Sequence, residues 1–313
     1  MTSVGIFGAS GYAGLELLWL LQQRSDIEIR FATSDRFAGR ACADLHPGLL
    51  GCFVSHNIGL DTPCDVVFLA TPPDASKGLV AALPSARIID LSNAHRFDDK
   101  STYGLLPCFT SEQRHAQLIA NPGCYATAAI LALAPLASLI EPSVIIDAAS
   151  GTTGAGRRAS EDYSLSELHD DLFAYKVLNH AHTPEIANAL HALSGQHFEV
   201  TFTPKLLPIR RGILATAYAR LKNGDARKAF KEYYADQAFI RLEEKAEQVR
   251  LRRVVGTNDV LLHIAVDDAT GRVVVQSALD NLLKGAAGQA MENMNLAFGL
   301  PRTTGLQGLK VQS

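Results

Sequence analysis

The feature that most constrains the fold is the order of apolar runs in the first third of the chain. Short β-rich segments at residues 4–7, 27–32, 66–70 and 88–91 alternate with helical patterns, the clearest of which covers residues 12–23. Strands and helices that alternate in this way form βαβ units. The pattern therefore predicts an α/β domain built on a parallel, doubly wound sheet.

A glycine-rich segment directly follows the first predicted strand and opens the first predicted helix. Glycines at such a turn let main-chain N–H groups and the helix N-terminus approach a pyrophosphate. The spacing is GxxGxxG, which an ordinary tight turn would also explain, but its place between strand and helix favours a Rossmann-type dinucleotide-binding domain. The candidate contacts are Gly8, Ser10, Gly11, Tyr12, Ala13 and Gly14.

The end of the second predicted strand indicates which dinucleotide binds. NAD enzymes usually place a carboxylate there for the ribose hydroxyls, whereas an arginine accommodates the 2′-phosphate of NADP. This chain has Ser34, Asp35 and Arg36 there, with Arg40 close behind. Asp35 would repel a phosphate unless it faces an arginine, and a solvated surface loop would explain the same residues. We expect NADP, with Ser34, Arg36 and Arg40 as contacts.

The rest of the chain predicts a second domain of a different kind. Longer strands are expected at residues 143–149, 198–203, 213–221, 260–266 and 273–278, the last two joined by a turn at 267–271. Helices are expected from an N-cap at Thr183 to a stop at Gly195, at 226–237 and at 281–298. We predict a dinucleotide-binding domain over residues 1–121, completed by a C-terminal helix within 281–313. Residues 122–280 should form an α+β, mixed-sheet domain for catalysis, substrate binding and oligomerisation.

One cysteine stands out as a candidate nucleophile. Cys124 lies in Asn121-Pro122-Gly123-Cys124, directly before an apolar helical run. A helix N-terminus favours the thiolate and can hold an oxyanion. A buried structural cysteine is the alternative, and it suits Cys42, Cys52, Cys64 and Cys108 better.

Two histidines precede the helix start at Thr183. His180 or His182 could take a proton from a thiol and return one to a developing alkoxide. A capping or solvated histidine is the alternative. A metal site would need a third ligand, and none stands nearby, so we expect no metal.

Arginines follow two glycine-containing segments of the second domain. Arg157 ends the loop that begins at Gly151, and Arg210 precedes Gly212. Guanidinium groups bind carboxylates and phosphates through paired hydrogen bonds. Together with a reactive thiol, they suggest a doubly anionic substrate such as an acyl phosphate, although single surface arginines are weak indicators.

Composition narrows the range of partners. Asp plus Glu total 32 against 29 Lys plus Arg, without blocks of like charge, which disfavours nucleic-acid and membrane-surface binding. Five cysteines form no CxxC pair and favour reduced thiols in the cytoplasm. We expect a cytoplasmic protein that acts on a small molecule and forms a homo-oligomer, a dimer or tetramer.

Nine segments in order along the chain resemble the N-acetyl-gamma-glutamyl-phosphate reductase family, a relative of aspartate-semialdehyde dehydrogenase. They are GASGYAG at 8–14, TSDRFAGR at 33–40, DLS at 90–92, YGLLP at 103–107, ANPGCYAT at 120–127, SGTTGAGR at 150–157, HAHTPEI at 180–186, PIRRGILAT at 208–216 and DNLLKGAAGQAMENMN at 280–295. The chain departs from the usual family pattern at Asn93-Ala94-His95, Ala181 and Lys205.

This resemblance implies an NADPH-dependent oxidoreductase of arginine biosynthesis that forms a thioester on Cys124 and reduces it to an aldehyde. His180 or His182 would act as acid and base, and Asn281 would approach the nicotinamide. Substrate contacts would come from Arg96, Ser150, Gly151, Arg157 and Arg210. Two alternatives are a related reductase of aspartyl or aminoadipyl phosphate and a non-catalytic NADP-binding sensor.

Overall fold

A computed structural model describes residues 1–110, 114–157 and 168–309 of the chain. The chain divides into two compact units. The first contains residues 1–123 and 286–307, and the second contains residues 124–285 with the described residues 308 and 309.

The sheet of the first unit has six strands within the described residues, all paired in parallel. The strands are β1 Thr2–Phe7, β2 Ile27–Ala32, β3 Val66–Leu69, β4 Arg87–Asp90, β5 Thr102–Tyr103 and β6 Leu118–Ala120. Their spatial order is β2-β1-β3-β4-β6-β5, so the direction of winding reverses beside β1. Ligands of doubly wound sheets bind at such a switch point, beyond the carboxyl ends of the strands. The predicted parallel sheet is confirmed.

In the part of the first unit that the structure describes, three helices and one 3-10 turn connect the strands: α1 Tyr12–Gln22, α2 His56–Asp61, α3 Pro73–Ala82 and the turn Cys42–Asp44. The helix α1 buries four leucines completely or almost so. They are Leu17, Leu18, Leu20 and Leu21. Burial of these side chains fixes the helix on the sheet, and its N-terminus then lies beside the glycine loop.

The sheet of the second unit is mixed, as predicted. Its strands, over the described residues, are β7 Ser143–Gly151, β8 Phe173–Ala174, β9 Glu199–Leu207, β10 Ile213–Arg220, β11 Ile240–Leu242, β12 Val260–Asp267 and β13 Arg272–Leu279. The order is β11-β12-β13-β10-β7-β9-β8. Two pairings are parallel, β7 with β9 and β11 with β12, and the others are antiparallel. The β12–β13 turn forms at 267–271, where Gly271 has φ +70° and donates its N–H to the Asp267 carbonyl.

Among the described residues of the second unit, the helices are α4 Cys124–Leu133, α5 His182–Ser194 and α6 Ala226–Tyr233, with 3-10 turns at Ala134–Leu136, Thr152–Ala155, Ala246–Gln248 and Leu251–Arg253. The residues Tyr125 to Leu133 of α4 are all buried. A helix that is apolar on every side must be covered on every side, and α4 packs against β10, β13 and α5. The central position of α4 fixes the location of its first residue, Cys124.

The predicted N-cap of α5 is wrong, although its stop at Gly195 is confirmed by a left-handed φ of +73°. The helix begins at His182, and Thr183 lies inside its first turn without a hydrogen bond to its buried hydroxyl. The reason is that the ring Nδ1 of His180 accepts the N–H of His182 at 3.1 Å. The ring nitrogen of His180 thus accepts a hydrogen bond from one of the N–H groups that have no partner within the helix at its N-terminus.

The C-terminal helical stretch forms close to its predicted range of 281–298. A π-helical turn at Leu283–Ala287 leads into α7 Gly288–Ala297, which packs against α1 and β4 of the first unit. Residues 298–309 form turns, because Gly299 adopts φ +74° and Pro301 cannot continue a helix. The tail is held by Asn295, whose side chain donates to the carbonyls of Arg302 and Thr304.

A buried ion pair holds three segments of the second unit together. The carboxylate of Asp280 is fully buried and lies 2.9 Å from Nε of Arg211, whose side chain is 4% exposed. It also accepts the N–H groups of Gly256, Leu282 and Leu283. One carboxylate therefore ties the segment before β10 to the segments before β12 and after β13.

We expect Asp280→Ala to destabilise the second unit by about 3–5 kcal/mol, because it leaves the buried Arg211 charge without its carboxylate. The matched control is Asp268→Ala, which removes an Arg227 ion pair of 2.9 Å on the surface and should barely change stability. Urea unfolding followed by circular dichroism measures both. Equal effects of the two substitutions would contradict this account of Asp280.

Candidate active site

Cys124 is the first residue of α4 and is partly exposed. The first residue of a helix lies beside N–H groups that have no partner within the helix, which suits both a thiolate and an oxyanion. All five cysteines carry unbridged thiols. Burial raises the pKa of Cys42 and of Cys64 to about 11, so neither thiol ionises near neutral pH.

The backbone of Gly285 packs directly against Cys124. A Cβ atom built on Gly285 would lie 2.8 Å from the Cβ of Cys124, closer than real Cβ contacts. Only glycine therefore fits beside the sulfur-bearing residue at this point. The contact of Gly285 with Cys124 joins residues far apart in the sequence, so no local pattern predicts it.

His180 lies in an aromatic cluster of the second unit. Its ring makes edge contacts with Tyr125, Tyr175 and Phe202, with centroids 5.4–5.7 Å apart. Burial, together with the nearby positive charge of Lys176, lowers the pKa of His180 to about 4. His180 is therefore neutral at physiological pH, and its Nδ1 accepts the His182 N–H.

His182 has a different environment. Its side chain is 14% exposed, and its Nε2 lies 4.0 Å from Oε2 of the buried Glu185, three residues later on α5. A carboxylate near an imidazole stabilises the imidazolium that forms when the ring takes a proton. The ring of Tyr125, the residue after the candidate nucleophile, contacts both His182 and His180. The structure thus brings the cysteine and histidine segments together within one unit.

The two arginine loops of the second unit are joined by backbone hydrogen bonds. Thr152 and Thr153 donate their N–H groups to the carbonyls of Ile209 and Arg210, at 2.8 and 3.2 Å. A Cβ on Gly151 would lie 2.7 Å from the backbone of Arg210, so this approach also requires glycine. Both predicted arginines, Arg157 and Arg210, are exposed, whereas Arg211 is buried with Asp280.

Two further predicted contacts in the second unit have structural partners. Ser150 is buried, and its hydroxyl donates to the carbonyl of Gly151. The side chain of Asn281 accepts the N–H of Gly212 at 2.8 Å and donates to the hydroxyl of Thr153 at 2.9 Å. Asn281 thus stabilises the arginine loops, and its predicted approach to a nicotinamide stays a prediction.

The glycine loop of the first unit has the close packing that a dinucleotide site requires. Gly8 has φ +77°, and its carbonyl accepts the N–H of Gly11 at 3.1 Å to close the turn. A Cβ on Gly14 would lie 2.5 Å from the Gly8 carbonyl oxygen, so only glycine lets α1 start this close to the loop. Tyr12 and Ala13 form the first turn of α1, where main-chain N–H groups suit a pyrophosphate. These residues fit a dinucleotide.

The predicted 2′-phosphate residues lie next to this loop. The hydroxyl oxygens of Ser34 and Ser10 are 2.8 Å apart, which joins the turn after β2 to the glycine loop. Arg36 and Arg40 are exposed on that turn, and so is Asp35. The partner of Arg40 is Asp44, at 3.2 Å, rather than Asp35.

Arg96 lies in the segment where the sequence departs from the family pattern. Its Nε donates to the carbonyl of Asn121 at 3.0 Å, and its Nη2 donates to the carbonyl of Leu91 at 3.3 Å. The preceding His95 is buried and lies 2.7 Å from the fully buried carboxylate of Asp90. At this departure from the family pattern, His95 is paired with the buried Asp90. A substrate contact by Arg96 stays a prediction.

Three features beside the predicted residues were not foreseen from the sequence: Glu185 and Tyr125 near the histidines of the second unit, and the Asp90–His95 pair next to Arg96 in the first unit. Glu185 could have been found, because a residue three positions after His182 shares its helix face. Tyr125 and His95 could not, because their partners are set by tertiary contacts.

Comparison with known families adds independent findings. Residues 3–116 match the family described as semialdehyde dehydrogenase, NAD binding domain. Residues 124–281 match the family described as semialdehyde dehydrogenase, dimerisation domain. Among solved structures, aspartate semialdehyde dehydrogenase II from Vibrio cholerae superposes with a TM-score of 0.78 at 17% identity, over 96% of this chain and 98% of that chain. The enzyme from Candida albicans, solved with NADP, gives 0.73 at 14% identity over 96% and 99%. These structures confirm the fold.

Several curated relatives named N-acetyl-gamma-glutamyl-phosphate reductase match along nearly the whole chain. The protein of Acidothermus cellulolyticus is 43% identical, with 97% of both chains covered. Those of Geobacter sp. and Acetivibrio thermocellus are 41% and 39% identical, with 99% and 98% of both chains covered. The chain therefore belongs to the N-acetyl-gamma-glutamyl-phosphate reductase family, within the semialdehyde dehydrogenases.

Proposed function

We propose that this protein reduces N-acetyl-gamma-glutamyl phosphate to N-acetylglutamate 5-semialdehyde with NADPH, a step of arginine biosynthesis. The observation that carries the proposal is Cys124 at the start of α4, with a histidine pair in contact with the adjacent Tyr125. Membership of the family supports the choice of substrate.

The chemistry begins at the sulfur of Cys124. The thiolate attacks the acyl carbon, and the bond from that carbon to the phosphate oxygen breaks. Inorganic phosphate departs, and the acyl group remains on Cys124 as a thioester. When bound, NADPH supplies the hydride that reduces this thioester. The carbon–sulfur bond of the resulting thiohemiacetal then breaks, which releases the aldehyde and restores the thiolate. The N-terminal N–H groups of α4 suit the negative charge that develops on the oxygen in both stages.

His182 is the acid and base in this proposal. It takes the thiol proton of Cys124 before attack, protonates the oxygen of the reduced intermediate and takes that proton back as the carbon–sulfur bond breaks, while Glu185 stabilises its charged form. His180 is the less suitable candidate, since its pKa of about 4 keeps it neutral and its Nδ1 is occupied by the His182 N–H. His180 would instead fix the start of α5.

The substrate is expected to bind through guanidinium groups. Arg157 and Arg210 extend from two loops that are fixed to one another by hydrogen bonds from Thr152 and Thr153. A guanidinium binds a carboxylate or phosphate through two parallel N–H contacts. Two arginines on joined loops suit a substrate that carries a carboxylate at one end and an acyl phosphate at the other.

We further propose that the protein is a homodimer formed through the outer face of the second-unit sheet. Ile145 and Tyr218 on that face are 53% and 45% exposed. They line a groove together with Glu141, Ser143, Ala219, Arg220, Arg272, Val273 and Val274. The match to a dimerisation domain over residues 124–281 supports a second copy as the partner.

No helix within residues 1–110, 114–157 and 168–309 has the length and apolar character needed to cross a membrane. The unbridged thiols of all five cysteines support the proposal of a cytoplasmic location.

The function is tested in the direction of aldehyde oxidation. With N-acetylglutamate semialdehyde, phosphate and NADP, the wild-type protein should produce NADPH, measured by its absorbance. Aspartate semialdehyde should be a much poorer substrate. A preference for aspartate semialdehyde would favour the related reductases, and absence of turnover with any semialdehyde would favour an NADP-binding sensor.

Cys124→Ser should abolish turnover while NADPH affinity changes little, because the thiol contributes to chemistry and not to cofactor binding.

Substitutions of the two histidines should have different effects on the kinetics. We expect His182→Gln to lower kcat by about 100-fold or more, the typical contribution of a general acid–base group. His180→Gln should cause a much smaller loss and leave the pH dependence of kcat/KM unchanged between pH 5 and 8, because His180 does not titrate there. Identical pH profiles for wild type and His182→Gln would contradict this assignment.

His180 also gives a stability prediction. Its pKa is about 4 in the folded protein against a usual 6.5, so the unfolded chain binds the extra proton between these values. Stability should therefore fall as the pH drops from about 6.5 towards 4, and His180→Gln should reduce this slope. Thermal unfolding at several pH values measures it; an unchanged slope would show that His180 is not the group involved.

The proposed dimer face is tested by Ile145→Lys. A buried charge in the interface should shift the mass measured by light scattering from dimer to monomer. Leu50→Lys is the matched control, because Leu50 is an apolar residue of the first unit with 73% exposure. A monomeric wild type, or equal effects of both variants, would contradict the proposed face.

A further inference from the structure

Ser34 joins the glycine loop to the basic turn that follows β2. It is 4% exposed, and its hydroxyl lies 2.8 Å from that of Ser10. The same hydroxyl accepts the N–H of Phe37 at 3.2 Å, and the N–H of Ser34 donates to the carbonyl of Val54. The turn is therefore anchored where a doubly wound sheet presents the ribose site of a dinucleotide.

The ring of Phe37 contacts both arginines of this turn. The guanidinium carbon of Arg36 lies 5.2 Å from the ring centroid, and that of Arg40 lies 5.5 Å from it. The ring itself is supported by Phe53, with centroids 6.4 Å apart. A cation within about 6 Å of an aromatic face is attracted by the negative charge of that face. One aromatic ring thus holds two guanidinium groups.

Two further contacts fix this arrangement. The N–H of Arg40 donates to the carbonyl of Phe37 at 3.0 Å, which closes the turn. The Nε and Nη2 groups of Arg40 each lie 3.2 Å from one oxygen of Asp44. Two like charges on one short turn repel each other, and long side chains in solvent sample many directions. The ring of Phe37 and the Asp44 carboxylate counter both effects before any ligand arrives.

We propose that Phe37 is a positioning residue that sets the preference for NADPH over NADH. Its ring holds Arg36 and Arg40 ready for the 2′-phosphate of the adenosine ribose, so that less side-chain freedom is lost on binding. The proposal rests on the proposed use of a dinucleotide by the first unit. It does not depend on which semialdehyde the enzyme uses.

The test is nucleotide binding to the whole protein in the absence of substrate. Fluorescence titration gives the affinities for NADPH and NADH, and competition gives those for adenosine 2′,5′-bisphosphate and ADP. Phe37→Leu keeps an apolar side chain without the aromatic face. It should lower the affinities for NADPH and for the bisphosphate by roughly five- to tenfold. The affinities for NADH and ADP should stay unchanged. Phe37→Tyr should retain the wild-type preference.

Phe298→Leu is the matched control. It removes an Arg87–Phe298 contact of the same 5.2 Å distance in the same unit. Arg87 begins β4 at the amino edge of the sheet, so this variant should change neither affinity. In an Arg36→Gln/Arg40→Gln background, Phe37→Leu should have no further effect on NADPH.

Three results would overturn the proposal. Equal losses for NADPH and NADH in Phe37→Leu would mean that the ring only supports the loop. An unchanged NADPH affinity would mean that the ring does not position the arginines. Equal affinities of the wild-type protein for NADH and NADPH would mean that there is no preference for Phe37 to set. Failure of the proposed reductase function would instead appear as absent semialdehyde turnover with normal NADPH binding.

Discussion

The constraint on which the site depends is the complete burial of α4. This helix has no polar face, so its only stable location is the centre of the second unit, covered by strands and by α5. Cys124 is the one partly exposed residue at its start. The position of the sulfur is therefore fixed by hydrophobic packing of the nine residues that follow it, and the N-terminal N–H groups of the helix accompany it at no further cost.

Two buried carboxylates, one in each unit, show how loops at the ends of strands are held. Asp280 is fully buried with Arg211 and main-chain N–H groups, and Asp90 is fully buried with His95 and Ser92. Buried carboxylates are tolerated when they are paired and hydrogen-bonded, and both satisfy that condition. Each lies directly after a strand or at its last residue, and each orders the loop that carries a predicted substrate or cofactor contact. The loops that carry these predicted contacts are thus held by buried, hydrogen-bonded charges.

Much of the fold could be predicted because the signals are local. The strands of both sheets follow from runs of apolar residues, and the glycine loop follows from its place between β1 and α1. Cys124 could be singled out because an apolar helix follows it at once. Other features depend on distant contacts that no spacing reveals. The partners of Asn281 are residues 128 and 69 positions away, and the cap of α5 is a histidine ring instead of Thr183. Helix ends are set by which group satisfies the terminal N–H, and several residues of this chain could have done so.

The central claim is that the acyl group passes through the sulfur of Cys124, and trapping that species tests it most directly. The whole protein is mixed with N-acetyl-gamma-glutamyl phosphate without NADPH, quenched in acid, digested and examined by mass spectrometry. The account predicts an N-acetylglutamyl group on the peptide that contains Cys124, lost when NADPH is added before the quench. An acyl group on another residue, or turnover by a protein whose Cys124 never carries one, would contradict it.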